Sequence, residues 1–338
     1  MTTRIAIVGW GNVGRGVYQA IKRSSDMELA AILSRDSVRV MNDLRERGWY
    51  GVNNNLIRNT GSEMEVQFVY DVAKPDVAIL CGGSAKDLPE QGPKFLKIFN
   101  TVDSFDTHAN IPDYFAKMDA IASGNCRVAI ISAGWDPGTF SLKRVLGDAF
   151  IPASKRFTFW GPGVSQGHSD ALRKVEGVAD AIQYTMPIQE ALTQVRAGLN
   201  LPLTTREKHW RDCHVALKPG ADPEIVRQAI VTMPNYFADY NTSVTFESPE
   251  QIAERKKQMP HGGFVMTSGE TGRGNKALVE YRNDWASNPE ATGSILIACA
   301  RANHRLQKEG KFGAFTMLDL SPALLSPRSR EELLKDFM

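Results

Sequence analysis

Gly9, Gly11 and Gly14 stand in the run Gly9-Trp10-Gly11-Asn12-Val13-Gly14, which follows directly on the apolar stretch Arg4 to Val8 and opens a helical pattern reaching about Ser24. The G-x-G-x-x-G spacing is common. Placed between a strand and a helix it becomes a phosphate cradle: the first glycine permits a tight turn and the second lets a pyrophosphate approach the backbone. The third lets helix and strand pack closely, and the positive end of the helix faces the anion. These residues therefore predict a dinucleotide site. A second strand, Glu28 to Leu33, runs into Ser34-Arg35. Enzymes that use NAD place an acid here for the ribose 2′-hydroxyl, and that acid repels a 2′-phosphate. A hydroxyl followed by a guanidinium suits the phosphate instead and favours NADP. Asp36 keeps NAD open, because turned inward it could serve the ribose.

Other reactive residues lack the company their chemistry needs. His168 and Asp170 in Gly-His-Ser-Asp suggest a hydrolase triad, but no nucleophile-elbow pattern accompanies them. Cys81, Cys126, Cys213 and Cys299 lie far apart with no C-x-x-C pair, and His108, His209 and His304 have no partners at metal spacing, so reduced thiols and no metal are expected. No local feature lowers the thiol pKa of Cys81, which argues against a nucleophile there. Cys81-Gly82-Gly83-Ser84 instead closes an apolar run, at the carboxyl end of a strand where ligands of such sheets bind.

The elements that must position these groups fit two domains. A chain of 338 residues exceeds one core, which stops growing at roughly 250 residues. With 42% hydrophobic and 23% charged residues and a net charge of +2, it reads as soluble, without a nucleic-acid footprint. It shows no membrane span, and its start lacks a secretory signal, so a cytoplasmic protein is expected. The short apolar runs VQFVY, VAILCGG, KIFNTVDSF and CRVAIIS, spaced for crossover helices, predict parallel strands in a doubly wound α/β sheet of the Rossmann type. Beyond Gly134 the runs RFTFWGPG, IQYTMPI, REKHWRDCHVAL and TSVTFES alternate and predict mixed or antiparallel pairing in a second, α+β domain. PEIVRQAIVTM and PEQIAERKKQM read as helices opened by proline. NPEATGSILIACARANHRLQKEG reads as a long helix stopped at Gly310, followed by a strand-like TMLDLSP and packed back on the first domain. The expected division is 1–134 with about 290–338 for dinucleotide binding, and 135–289 for substrate binding and dimerisation.

Five blocks in order carry a resemblance over most of the chain: FNTVDSFDTHANIP, SAGWDPGTFSLKRV, WGPGVSQGHSDALRKVEGVADAIQYTMP, MPHGGFVMTSGETG and GAFTMLDLSPALLSP. Together they resemble the meso-diaminopimelate dehydrogenases, NADP-dependent enzymes that oxidatively deaminate the D-centre of meso-2,6-diaminopimelate. One departure is a region from about Ser37 to Val66 that looks longer than in compact members. The resemblance implies a homodimer that handles NADP, the diamino acid and ammonia. It implies cofactor contacts at Gly9 to Gly14, Ser34 and Arg35, Cys81 to Ser84, Thr101-Val102-Asp103 and Gly134-Trp135-Asp136-Pro137-Gly138. Near the reacting end it places Asp106 and Asp136, acceptors able to hold an ammonium and assist its deprotonation. Trp160, Gln166, Gly167, Thr185, Arg211, His261 and Asn288 match further substrate positions.

The chemistry of that set is coherent. Arg211 offers a fork for the distal carboxylate, Thr185 and His261 add donors, and Asn288 can bond either an ammonium or a carboxylate. Plainer readings are a turn at Asp136-Pro137-Gly138, a helix or turn cap at Asp106, a surface arginine and, for Asn288, a cap before Pro289. His261 in Pro-His-Gly-Gly reads as part of a flexible loop, and Trp135 to Gly138 lead into a helix whose amides could bind a carboxylate. Two rivals remain: a semialdehyde dehydrogenase-like enzyme, which needs a nucleophilic cysteine, and a non-catalytic NADP-sensing regulator on the same fold.

Overall fold

The computed structural model describes residues 2–49 and 56–338. The stretch 37–66, expected to be longer than in compact relatives, lies partly outside the described residues. The chain divides into two compact units, Met1–Leu142 with Pro289–Met338, and Lys143–Asn288.

In the first unit β1 (Thr3–Val8), β2 (Met27–Ser34), β3 (Ile57–Asn59), β4 (Val77–Leu80), β5 (Thr101–Asp103), β6 (Val128–Ile130) and β14 (Gly313–Phe315) form one sheet. Its order is β14-β6-β5-β4-β1-β2-β3, and every pairing is parallel. Alternate side chains feed two apolar layers. Ile5 and Ile7 join Ile32, Val77 and Ile79 on one face, while Ala6 and Val8 join Leu33, Ala78 and Leu80 on the other. A strand covered on both faces has no polar side to show, hence the unbroken apolar runs. Leu296, Ile297 and Ala300 of the helix Asn288–Lys308 complete the first layer, and Gly310 follows the helix with φ of +69°.

Three expected strands differ. VQFVY is helical: Val66 to Phe68 close the helix Glu63–Phe68, and Val69 and Tyr70 begin a wider helical turn ending at Ala73. Val66 and Val69 are buried one turn apart, a helical face that a short apolar run does not distinguish from a strand. The neighbour of β2 is instead Ile57–Asn59. Only Thr101–Asp103 of KIFNTVDSF is extended. TMLDLSP forms turns, and the strand beside β6 lies just before it at Gly313–Phe315.

The second unit contains β7 (Ala153–Trp160), β8 (Gly163–Val164), β9 (Val178–Pro187), β10 (His209–Leu217), β11 (Asn241–Phe246), β12 (His261–Gly272) and β13 (Asn275–Trp285). They form a four-stranded sheet, β11-β10-β9-β8, and a three-stranded sheet, β13-β12-β7. Pairing is antiparallel except between β10 and β11. The proline-led helices Pro223–Val231 and Pro249–Arg255 are capped by Asp222 and Ser248. Within REKHWRDCHVAL a helical turn, Thr205–Lys208, precedes the strand. His261 is not in a loop: it starts β12, half-buried and opposite Trp285. Its glycine neighbour Gly262 serves close strand pairing, since a side chain there would approach the Asn283 carbonyl oxygen at 2.7 Å. Among the described residues no helix is long and apolar enough to cross a membrane.

Candidate active site

At the carboxyl edge of β1 the chain turns at Gly9, with φ of +102°. The Gly9 amide donates to the Leu33 carbonyl and the Cys81 amide to that of Val8, both at 2.7 Å, so the loops after β1, β2 and β4 leave side by side. A side chain on Gly9 would press on the Cys81 backbone at 3.2 Å, and one on Gly14 would overlap the Gly9 carbonyl oxygen. Gly11 faces open space, with nothing within 4 Å. The protein's own packing needs the outer two glycines but leaves room for a side chain at the middle one. Gly11 begins the helix Asn12–Lys22, whose first turn carries no acid to neutralise its positive end. Trp10 is buried and its Nε1 donates to Asp43 at 2.8 Å, Asn12 accepts from Arg15 at 3.2 Å, and Val13 packs on the core. These three side chains shape the loop.

Asp36 is employed elsewhere. It caps the helix Ser37–Glu46 and accepts the Arg39 amide at 2.9 Å, which removes the sequence-level argument for NAD. Ser34 Oγ accepts the Asp36 amide at 3.3 Å, and the Arg35 side chain is 80% exposed with Asp87 as its nearest acid at 3.6 Å. A pair so long and exposed holds weakly. Asp87 carried no sequence signal; it accepts the Gly83 amide at 2.8 Å and braces the Cys81-to-Ser84 turn. Burial pushes the Cys81 and Cys213 thiols far up and that of Cys299 to about 12, so none of the three is the thiolate a semialdehyde dehydrogenase would use.

The next two loops carry Asp106 and Asp136. Thr101, Val102 and Asp103 are fully buried, so their side chains face the interior rather than a ligand. The Asp103 carboxylate accepts the Phe105 and Ser132 amides at 3.0 and 3.1 Å and the Tyr114 hydroxyl at 2.8 Å. Burial raises its pKa against these bonds. Asp103 thereby ties the loop after β5 to the loop after β6. Asp106 follows in the first loop, exposed, with its amide donating to Ser84 Oγ at 2.7 Å. Asp136 lies in the second, half-buried between buried Trp135 and Pro137. At the turn into the following helix the Gly138 amide donates to Ser141 Oγ and the Thr139 amide to the Gly134 carbonyl, at 3.2 and 3.0 Å. Asp136 adopts extended backbone and Pro137 has no amide hydrogen.

In the second unit Thr185 on β9 faces Arg211 on β10, and Arg211 Nη1 donates to Thr185 Oγ1. Arg211 is 5% exposed, stacks on Tyr240 with its Cζ 3.8 Å from the ring centre, and among the described residues has no carboxylate partner and no acceptor for Nε. A buried guanidinium held in this way is costly until an anion meets it. Tyr240 gave no signal in the sequence. Gly163 pairs with Thr185, and the Val164 amide bonds the Pro260 carbonyl at 2.8 Å, which brings His261 beside the same strands. Asn288 is the first helical residue rather than the cap, and its amide donates to the Met259 carbonyl at 2.7 Å. Gln166 and Gly167 lie exposed at the start of a short helix capped by Ser165. His168 bonds Ser165 at 2.8 Å and is pushed down to about 4 by burial and by Arg211, while Asp170 pairs with Arg173. No triad joins them.

Residues 134–287 match the family described as the diaminopimelic acid dehydrogenase C-terminal domain. A meso-diaminopimelate D-dehydrogenase of Lysinibacillus sphaericus is 50% identical over 335 residues, 99% of each chain. The crystal structure of a six-substitution meso-diaminopimelate dehydrogenase variant from Clostridium tetani with DAP superposes with a TM-score of 0.90 at 45% identity, covering 100% of both chains. An engineered D-amino acid dehydrogenase bound to NADP+ superposes with a TM-score of 0.83 at 38% identity, again over 100% of both chains. A parallel sheet edged by a glycine turn, a buried arginine whose Nε has no partner among the described residues and full-length relatives of one kind agree, and the chain belongs to the meso-diaminopimelate dehydrogenase family.

Proposed function

We propose that this enzyme uses NADP to deaminate the D-centre of meso-2,6-diaminopimelate reversibly, yielding L-2-amino-6-oxopimelate and ammonia, through the following residues. Bound NADP supplies the hydride acceptor at its nicotinamide. The 2′-phosphate falls to Ser34 and Arg35, and the pyrophosphate to the amides around Gly11. Asp106 and Asp136 hold the reacting ammonium and draw its proton, so that the amine is neutral when its α-hydrogen leaves as hydride. Water then adds to the resulting imine carbon and ammonia departs. Most of the acceleration comes from positioning rather than from covalent catalysis.

The distal end, which does not react, falls to the second unit. Arg211 takes its carboxylate with Thr185 alongside, His261 and Asn288 bond its remaining polar atoms, and Trp160, Gln166 and Gly167 wall the substrate. The observation that carries this half is the buried Arg211 guanidinium, whose Nε has no hydrogen-bond partner among the described residues, an arrangement a ligand carboxylate relieves. The first unit is then the dinucleotide-binding domain and the second the substrate domain. Leu278 and Val279, 40% and 41% exposed on the edge strand β13, support pairing of the second unit with its copy in a cytoplasmic homodimer. The test mixes the purified protein with NADP and meso-diaminopimelate and follows the reduced nicotinamide by absorbance. Turnover is expected, with LL-diaminopimelate inert; silence at alkaline pH overturns the reading.

A further inference from the structure

Trp160 ends β7, an edge strand whose sheet offers it only β12. The Gly161 amide donates to the Gly262 carbonyl across that pairing at 2.7 Å. Successive amides of a strand point to opposite sides, so that of Trp160 points away from β12. It donates to His209 Nε2 at 2.8 Å, 49 residues along the chain. His209 is the first residue of β10, in the other sheet, and is 0% exposed. Its ring lies along the Trp160 indole, with centres 5.2 Å apart and planes 26° from parallel, and tilts against Phe159 at 5.9 Å.

Histidine suits this place for a physical reason. Burial first, then the charges of Lys208 and Arg211, push its pKa down to about 3, so the ring is neutral near pH 7. Because Nε2 accepts a hydrogen bond, the ring proton sits on Nδ1. A leucine would fill much of the space and leave the Trp160 amide without its acceptor. His209 also stands two residues before Arg211, on the same face of β10. One strand face thus carries both the anion clamp and the support of the indole.

We propose that His209 is a positioning residue for the reaction: it sets the orientation in which the Trp160 indole meets the substrate and acts on the substrate only through Trp160. The proposal rests on the reading of Trp160 as a substrate contact. Steady-state kinetics on the full-length enzyme, with NADP and meso-diaminopimelate varied separately, test both statements. His209→Leu is expected to raise the substrate KM about ten-fold while the NADP KM stays within about two-fold, a split that general destabilisation would not produce. His209→Gln places an acceptor near the same amide and restores most of the substrate KM. In a Trp160→Ala background, His209→Leu adds nothing further.

The proposal is overturned if His209→Leu leaves the substrate KM unchanged while Trp160→Ala raises it, or if the two effects are additive. It is also overturned if Gln restores no more than Leu. If Trp160→Ala alone leaves the substrate KM unchanged, the reading of Trp160 falls and this inference with it. Should the Leu variant not fold, Gln against Asn gives the same contrast, because Asn is too short to reach the Trp160 amide.

Discussion

In the first unit the groups proposed for the dinucleotide are mainly backbone amides at the ends of strands whose own side chains are buried. In the second, the groups suited to the substrate are side chains that rise from strands, such as Thr185, Arg211 and the His209 that backs Trp160. The difference follows from the ligands. A pyrophosphate needs several donors at short range, which a glycine turn at a helix start provides. A diamino acid needs charge and shape matched at separated points, which only side chains supply. A backbone site should be sensitive to any added Cβ and indifferent to most side-chain changes, and a side-chain site the reverse.

The largest effect is expected where the first unit departs from its own rule. Asp136→Ala should lower kcat by roughly a thousand-fold and leave NADP affinity within about two-fold. Equal loss of both would place Asp136 with the cofactor. Arg211→Met should raise the substrate KM by about a hundred-fold, a charged hydrogen-bonding partner being worth ~2–5 kcal/mol. Its melting temperature should hold or rise, because an unpaired buried charge gives way to an apolar side chain. A marked fall in Tm would make Arg211 structural.

Smaller effects separate the glycines. Gly11→Ala should weaken NADP binding about ten-fold at unchanged Tm, whereas Gly14→Ala should also cost about 1–3 kcal/mol of stability through overlap with Gly9. Loss of Tm in both would mean that the middle glycine serves packing. Arg35→Ala should reduce the preference for NADP over NAD by about ten-fold, ~1.4 kcal/mol, and an unchanged ratio counts against a phosphate contact.

A further effect is a pH slope. His168 and His209 are held down to about 4 and 3, against 6.5 when unfolded. The unfolded chain therefore binds more protons in that interval, so the stability they contribute is complete above about pH 7 and falls on acidification, by ~1.4 kcal/mol per pH unit for each ring. His209→Gln should flatten part of the slope between pH 6 and 4 in urea titrations, and a slope identical to wild type would contradict the burial argument.

What could be read without coordinates follows the same division. The glycine turn was legible because backbone demands are written in consecutive residues, and Ser34-Arg35 because the second strand fixes where its end lies. Asp36 was ambiguous until its cap on Arg39 appeared, since direction is not a property of sequence. VQFVY misled because a short apolar run suits a helix face as well as a strand. His261 misled because glycines that allow close strand pairing look like those of a loop. The residues proposed for the substrate were named only through family blocks, and the neighbours of two of them, His209 beside Trp160 and Tyr240 beside Arg211, were not named as such because they lie far from them in the sequence. Asp87 was missed for a similar reason: its bond to Gly83 replaces no recognisable motif.

Asp103 anchors the first residues of two loops at once, through the amides of Phe105 and Ser132. Two loops hung from separate supports would fluctuate independently, and the spacing of Asp106 and Asp136 would blur with the sum of both motions. With a common tether the two loops share one support, so removing the Asp103 carboxylate takes an acceptor from an amide in each of them at once.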